Sequence, residues 1–337
     1  MLEKKFKING NELLFSDINL KKNPIYSELA TFLSQFHNSD PFFELSSSGS
    51  TGTPKTIRIK KEFMKVSAQK TLNFLEIEKG AKVLLCLPMD KIGGIMILVR
   101  WLVADLDLYL TNPKANPLLE FDEDFELCSM VPYQAEKSLA NLGQVRKLII
   151  GGAAVSPHLE EKLSKINVES YHSFGMSETI SHIALRRIGS DLNFKCLEGI
   201  EISVDQNSCL IISSEDIGLK GLKTNDVVEI KQGNEFRWKG RIDNVINSAG
   251  LKFYPEEIES KIGDLPVEYF IAGKEDSELG EKIILVLESD SKVDFDFPQL
   301  SKYEKPKEIY HLPVFIRTKT GKIKREEILK ALFEINP

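Results

Sequence analysis

The sequence predicts an α/β fold in two parts. A large N-terminal domain of mostly parallel sheet layers with helices also carries a β-rich subdomain, and a small α+β C-terminal domain follows. Three observations carry this. Up to about residue 188, apolar runs of strand length alternate with helix-length segments, the pattern of a parallel sheet covered on both faces. From about 189 to 242 the runs become short, alternating and separated by turn signals, as in antiparallel hairpins. From 243 onward a Pro-initiated helix, a strand and an amphipathic terminal helix form a third texture. The length, 337 residues, agrees: it is long for one domain and short for three.

The elements follow in order. The first 45 residues predict a short strand and a helix around 26–36. A dense Ser/Gly/Thr/Pro stretch, ELSSSGSTGTPKTIRIKK, then runs into an alternating strand, IRIK. AKVLLCLP (81–88) is a continuous apolar run of strand length, and IGGIMILVRWLVA (92–104) is long enough for a buried helix. DLYL, FELCSMV (125–131) and VRKLIIGG (145–152) read as strands, the last ending in two glycines. SPHLEEKLSKI (156–166) reads as a helix that Ser156 can cap and whose first turn Pro157 suits. VESYHSFG (168–175) passes from strand into loop. IEISVD, CLIISS, DVVEIKQ and EFRWKG supply the hairpins, with QNS and QGN as turns. PEEIESKI, EKIILVLES and KREEILKALFEI supply the last helix, strand and helix.

Composition narrows the function. At 42% hydrophobic and 28% charged, the chain is not disordered or of low complexity as a whole. A net charge of −6 speaks against a dedicated nucleic-acid binder. No apolar run approaches the ~20 residues that cross a bilayer, and MLEKKFKINGNELLF lacks the apolar core of a secretion signal. Cys86, Cys128, Cys196 and Cys209 are scattered without a C-x-x-C pair, so neither a zinc knuckle nor a disulfide framework is expected. A reducing cytoplasm is the simplest compartment. The charge is uneven: between Lys302 and Lys330 nine basic residues face four acids, giving +5 and leaving −11 for the rest. That segment is either a solvated basic face or a cationic element presented to an anionic ligand.

Five segments could carry chemistry. Ser46 to Lys55 packs six hydroxyls, two glycines and a lysine into ten residues, which suits a phosphate-wrapping loop. Its glycines are too close together for G-x-x-x-x-G-K-[ST], and it is not G-x-G-x-x-G either. Tyr171 to Thr179 places one acid, Glu178, in a hydroxyl-rich loop after a buried strand. There it could bind Mg²⁺ through oxygen, or simply complement a helix N-terminus. Thr224-Asn225-Asp226, Gly240 to Lys252 and Thr318 to Arg325 could each be an ordinary polar turn. Their order along one chain makes them a constellation.

With these residues in view, the chain resembles the adenylate-forming acyl-CoA synthetase family, which includes peptide-synthetase adenylation domains and luciferases. SSGSTGTPK matches the family phosphate loop, and GMSET its G-M-T-E-T, with Ser177 for Thr. LKTNDVVEI resembles the Y-x-T-G-D segment, GRIDNVINSAGLKFYPEEIE the interdomain segment, and TKTGKIKRE the C-terminal lysine motif. The resemblance implies a two-step reaction using ATP, Mg²⁺ and CoA: a carboxylate attacks the α-phosphate, then a thiol displaces AMP. It implies that Ser48, Gly49, Ser50, Thr51, Gly52, Thr53 and Lys55 wrap the β- and γ-phosphates and that Glu178 binds Mg²⁺. It places Gly151, Gly152, Ala153, His172, Ser173, Phe174, Gly175 and Ser177 around the nucleotide, and Asp226 on the ribose with Arg241 beside it. Asp243 matches the hinge between domains 1–242 and 243–337, the second of which is then mobile. Gly250 matches the glycine lining the pantetheine tunnel, and Lys322 the lysine that bridges carboxylate and phosphate during adenylation.

The chain departs from the family pattern at Phe174 (usually Tyr), Asn225 (usually Gly) and Lys91 (usually His). It begins about 45 residues before the phosphate loop, so most of the usual N-terminal subdomain is expected to be missing. Within the family, GMSETISHIAL most resembles the 2-succinylbenzoate–CoA ligases of menaquinone biosynthesis. That acid has two carboxylates, and Lys91, Arg100 and His182 are the candidate partners of the unreactive one. His182 could equally be a satisfied core histidine, and Arg100 a snorkelling helix residue. The alternatives are another aryl- or acyl-CoA ligase, a carrier-protein-loading enzyme, or a non-catalytic nucleotide-binding protein. The expected partners are small molecules, a carboxylic acid with ATP and CoA; a homodimer stays open.

Overall fold

The structure is a computed structural model that describes residues 5–47, 55–293, 295–317 and 323–335. The chain opens with the hairpin β1 (Lys5–Ile8) and β2 (Asn11–Leu14), then α1 (Phe15–Leu20) and α2 (Pro24–His37). Asn23 caps α2, accepting from the Ile25 N–H at 3.1 Å, and Pro24 sits where its missing N–H costs nothing. β3 (Phe42–Ser47) and β4 (Lys55–Lys60) pair antiparallel as a separate two-stranded ribbon. The α/β alternation follows: α3 (Lys61–Phe74), β5 (Lys82–Leu85), α4 (Ile92–Ala104), β6 (Asp107–Leu110), β7 (Phe125–Met130), α5 (Pro132–Lys137), β8 (Val145–Ile150), α6 (Pro157–Ser164) and β9 (Glu169–Gly175). Antiparallel strands come next: β10 (His182–Arg187), β11 (Phe194–Cys196), β12 (Glu201–Val204), β13 (Cys209–Ser214), β14 (Leu219–Lys231) and β15 (Glu235–Arg241). The C-terminal elements are β16 (Ile246–Ser248), β17 (Leu251–Phe253), α7 (Pro255–Ile262), β18 (Tyr269–Asp276), β19 (Gly280–Glu288), β20 (Glu308–Leu312) and α8 (Arg325–Ile335).

One 13-stranded sheet runs β12-β13-β14-β15-β11-β10-β9-β8-β7-β5-β6-β1-β2. From β1 to β9 the neighbours are parallel, and from β9 to β12 they are antiparallel. β5 and β6 are buried along nearly their whole length, as expected of strands covered on both faces. The predicted β-rich subdomain is therefore not a separate layer. Its antiparallel strands begin at His182, earlier than residue 189, and continue the parallel sheet through the β9–β10 pair. The helix α3 has no counterpart among the sequence-predicted elements, although Met64, Ala68 and Leu72 give it a buried stripe at four-residue spacing.

The large sheet stops at Arg241 and a second sheet starts at Ile246. In it β19 pairs antiparallel with β18 along one side, while its other side meets β16 near Gly280 and, in parallel, β20 from Ile284 to Glu288. Ile246, Ile258, Ile271, Leu285 and Leu287 fill one face, and Phe270, Ile284, Val286, Phe315 and Leu332 the other.

Candidate active site

The C-terminal ends of β8 and β9 lie side by side. Gly151 N–H continues the ladder by donating to Met130 O at 3.1 Å. A Cβ on Gly151 would stand 2.3 Å from Ser173 Oγ, which itself donates to Ile150 O at 3.1 Å, so a larger residue here would displace that hydroxyl from its hydrogen bond. His172 accepts from Arg186 Nη2 at 3.4 Å and hydrogen-bonds the backbone of Ala153. Burial, with the nearby Arg186 charge, pushes its pKa down to about 4, so the ring is neutral at pH 7. Arg186 is fixed in turn by a two-pronged contact with Glu160 of α6, one prong at 3.1 Å. Phe174 packs against Phe194 and Phe236 with ring centroids 5.7 and 5.0 Å away. The predicted nucleotide-lining residues Gly151, Ala153, His172 and Ser173 thus touch one another across β8–β9.

The chain then reverses from β9 to β10. A Cβ on Gly175 would lie 2.3 Å from Ser181 O and 2.4 Å from His182 Cα, so the reversal demands glycine. The link is stapled by the buried Thr179 hydroxyl. It accepts from the Met176 N–H at 2.9 Å and offers its hydrogen to Ser181 O at 2.7 Å or Met176 O at 3.0 Å. Ile180 is buried with φ 68°, a region that a β-branched residue occupies only under strain, costing roughly 1–3 kcal/mol. Ser177 carries the turn, its carbonyl accepting from Ile180 N–H at 3.0 Å. Glu178 projects from this turn, exposed and unpaired with any described residue.

On the other side of the link, Arg100 of α4 is only 2% exposed. Its Nη2 donates to Thr71 Oγ1 and to Ser181 Oγ, each at 3.2 Å, and its Nε has no partner. No described carboxylate pairs with it, and burial alone brings its pKa down to about 10. His182 joins the group, with Nε2 at 3.0 Å from Thr71 Oγ1 and Nδ1 at 3.5 Å from Ser181 Oγ. Burial first, then the Arg100 charge, holds its pKa well below the usual imidazole value, so it contributes dipole rather than charge. Lys91 stands apart. It precedes α4, roughly 14 Å along the helix from Arg100, and pairs with Asp90 at 3.0 Å. Thr71 escaped the sequence reading because α3 did; the spacing of Met64, Ala68 and Leu72 was the available signal.

Asp226 is buried on β14 directly across from Arg241 on β15. Trp238 Nε1 donates to Asp226 Oδ1 at 3.0 Å, and the Asp226 N–H donates to Thr224 Oγ1 at 3.1 Å. Arg241 donates to Asp243 Oδ2 at 2.8 Å, and Asn225 Nδ2 reaches both Asp243 oxygens at 3.2 and 3.3 Å. The departure from glycine at Asn225 therefore adds a second donor to the residue at the sheet boundary. Ala249 and Gly250 form the two-residue loop between β16 and β17, both with positive φ, as a type I′ turn requires.

Ser48, Gly49, Ser50, Thr51, Gly52, Thr53 and Lys322 lie outside the described residues. Pairing of Ser47 with Lys55 brings together the ends of the first segment. A bridge between Arg317 and Ile323 does so for the second. Arg317 makes a two-pronged contact with Glu288 at 2.8 and 2.6 Å, and Arg325 binds Glu259 at 2.8 Å, so both flanks of the second segment are anchored to the small domain's core.

Over residues 9–197 the sequence matches the family described as AMP-binding enzyme. The chain belongs to that family. Among the relatives it resembles is the 2-succinylbenzoate–CoA ligase of Salmonella typhimurium, at 27% identity over 83% of this chain and 67% of that one. Among solved structures it resembles an acyl-CoA synthetase (AMP-forming)/AMP-acid ligase II-like protein from Dyadobacter fermentans. The identity there is 33%, covering 94% of this chain and 98% of that one, with a TM-score of 0.65. The fold is also that of the o-succinylbenzoate CoA synthetase of Bacillus subtilis, solved in complex with its acyl-adenylate intermediate. That likeness has 21% identity, covers 85% of this chain and 68% of that one, and has a TM-score of 0.74. Among the described residues no helix is long and apolar enough to cross a membrane, and no three His, Cys, Asp or Glu side chains group as metal ligands.

Proposed function

We propose that the chain is an ATP-dependent acid–CoA ligase acting through an acyl-adenylate, and that its acid is 2-succinylbenzoate. The observation that carries the acid is Arg100, a guanidinium taken out of water with hydroxyls and a neutral imidazole around it and no counter-anion among the described residues. Such a charge is costly until an anion arrives. An acid with a second, unreactive carboxylate supplies one. The Salmonella typhimurium relative, a 2-succinylbenzoate–CoA ligase, supports the same substrate.

In this reading the β8–β9 wall takes the adenine, Asp226 the ribose, and the 48–55 segment the β- and γ-phosphates. Glu178 fits Mg²⁺, which is commonly held by one or two carboxylates with substrate phosphates completing its shell. Its carboxylate is exposed and has no described protein partner. The ion would offset phosphate charge when bound. Lys322 brings the acid's carboxylate to the α-phosphorus; the new C–O–P linkage forms as pyrophosphate leaves. The CoA sulfur then attacks the acyl carbon and AMP departs. We assign 1–242 and 243–337 as the two moving units, with Asp243 at the hinge, Lys322 serving the first step and the Gly250 loop the second.

Pyrophosphate release from the purified protein with a panel of carboxylates, run with CoA and with a carrier protein, tests this. Turnover of 2-succinylbenzoate with CoA is expected. Turnover of a different acid alone overturns the substrate, and no release with any acid overturns the ligase in favour of a nucleotide-binding protein.

A further inference from the structure

We propose that Trp238 is a positioning residue for the nucleotide: its indole N–H holds one oxygen of Asp226 so that the other faces the ribose hydroxyls. This rests on Asp226 being the ribose ligand, as assigned above.

Between β14 and β15, Asp226 lies opposite Arg241 and Val227 opposite Gly240, but Val228 lies opposite Trp238 rather than Lys239. The ladder slips by one residue. In an antiparallel pair, opposed residues share a face and faces alternate, so an unbroken ladder would put Lys239 beside Asp226. The slip sends Lys239 to the other face, where it pairs with Glu257 at 3.1 Å and lies 3.6 Å from Glu229. In its place it brings Trp238 to the face of Asp226 and Arg241. Bulges commonly re-aim a side chain in this way.

The exchange matters chemically. A lysine here would be a charged partner for Asp226 and would compete with any hydroxyl for its lone pairs. Indole is a neutral, single donor. It occupies Oδ1 at 3.0 Å and leaves Oδ2 without a hydrogen bond to any described residue. The backbone is held as well: Asp226 N–H donates to Thr224 Oγ1, and that hydroxyl donates to Leu210 O at 3.0 Å. The carboxylate is thus fixed at its backbone and at one oxygen, with its charge free for two vicinal hydroxyls.

Trp238→Phe removes the donor and keeps an aromatic ring. Its KM for ATP should rise about tenfold, the worth of one hydrogen bond to a charged group, with kcat at saturating ATP within about twofold. Preference for ATP over 2′-deoxyATP and 3′-deoxyATP should shrink by a similar factor. In an Asp226→Ala background the same substitution should add nothing. Trp238→His, which keeps a ring N–H, should recover most of the preference, and urea unfolding of each variant separates this from loss of fold. An unchanged KM and unchanged ribose preference in Trp238→Phe, or full additivity with Asp226→Ala, overturns the proposal. Failure of the unaltered protein to bind ATP overturns instead the assignment of Asp226 on which it rests.

Discussion

Replacing Arg100 with methionine should make the protein more stable and a worse enzyme. Burial lowers the Arg100 pKa in the folded state, from the usual guanidinium range to about 10. Because the folded value lies below the unfolded one, the charged side chain is disfavoured in the folded state at every pH below about 10. The fall corresponds to about 3 kcal/mol. Against it stand two hydrogen bonds, to Thr71 and Ser181, together worth about 1–2 kcal/mol. These hydroxyls keep other partners after the substitution, since Thr71 also bonds Ser67 O and His182. Methionine fills similar volume without charge, so Arg100→Met should gain about 1–2 kcal/mol, a rise of roughly 2–4 °C in Tm for a unit of this size. At the same time kcat/KM for 2-succinylbenzoate should fall about 100-fold or more, as when a buried charge loses its partner. An aryl acid with a single carboxylate should lose less than about tenfold, since its distal end carries no charge for Arg100 to meet. Thermal unfolding and pyrophosphate release measure both. A lower Tm, with all acids affected alike, would make Arg100 a structural strut rather than a carboxylate partner.

Lys322→Ala should reduce adenylate formation about 1,000-fold while leaving thioester formation from a preformed adenylate within about threefold; survival of both half-reactions removes Lys322 from the mechanism. His172, whose pKa falls from 6.5 to about 4 on folding, binds its proton more readily unfolded. Stability should therefore be flat above pH 6.5 and fall by about 2 kcal/mol as pH drops toward 4, allowing for partial exposure, with His182 adding in the same direction. Urea midpoints across that window check it, and a protein that gains stability on acidification there contradicts it.

The parts of the fold that were legible in the sequence are those where one local signal dominates. The apolar run 92–104 became α4 with the same ends, and Pro157 and Pro255 start α6 and α7. α3 was hidden because lysines interrupt its stripe. Lys61 and Lys70 are buried in it, their ammonium groups satisfied by Asn38, and by Glu198 O with Asp216. These partners are remote in sequence, so nothing local marks those lysines as inward. The same holds for the site. Arg100 could be read as a lone cation in an apolar helix, but Thr71 and Ser181 meet it from 29 and 81 residues away. Asp226 could be read from its motif, whereas the Trp238 contact depends on a register slip that only the paired strands reveal. The phosphate-loop and lysine motifs were the plainest in the sequence, yet most of their residues lie outside those described.

The β9–β10 link explains why both ends of the proposed reaction meet here. Six residues, 176–181, join the last parallel strand to the first antiparallel one. A connection this short cannot wander, and it is pinned at Gly175, at Thr179 and by the unusual backbone of Ile180. Glu178 leaves one side of it toward solvent, and Ser181 leaves the other to contact Arg100. A shift of the link therefore moves the proposed metal ligand and the proposed acid site together. If Glu178 and Arg100 hold the roles proposed for them, the strain at Ile180 has a reason: relaxing it would displace two groups whose separation would have to match one acyl-adenylate.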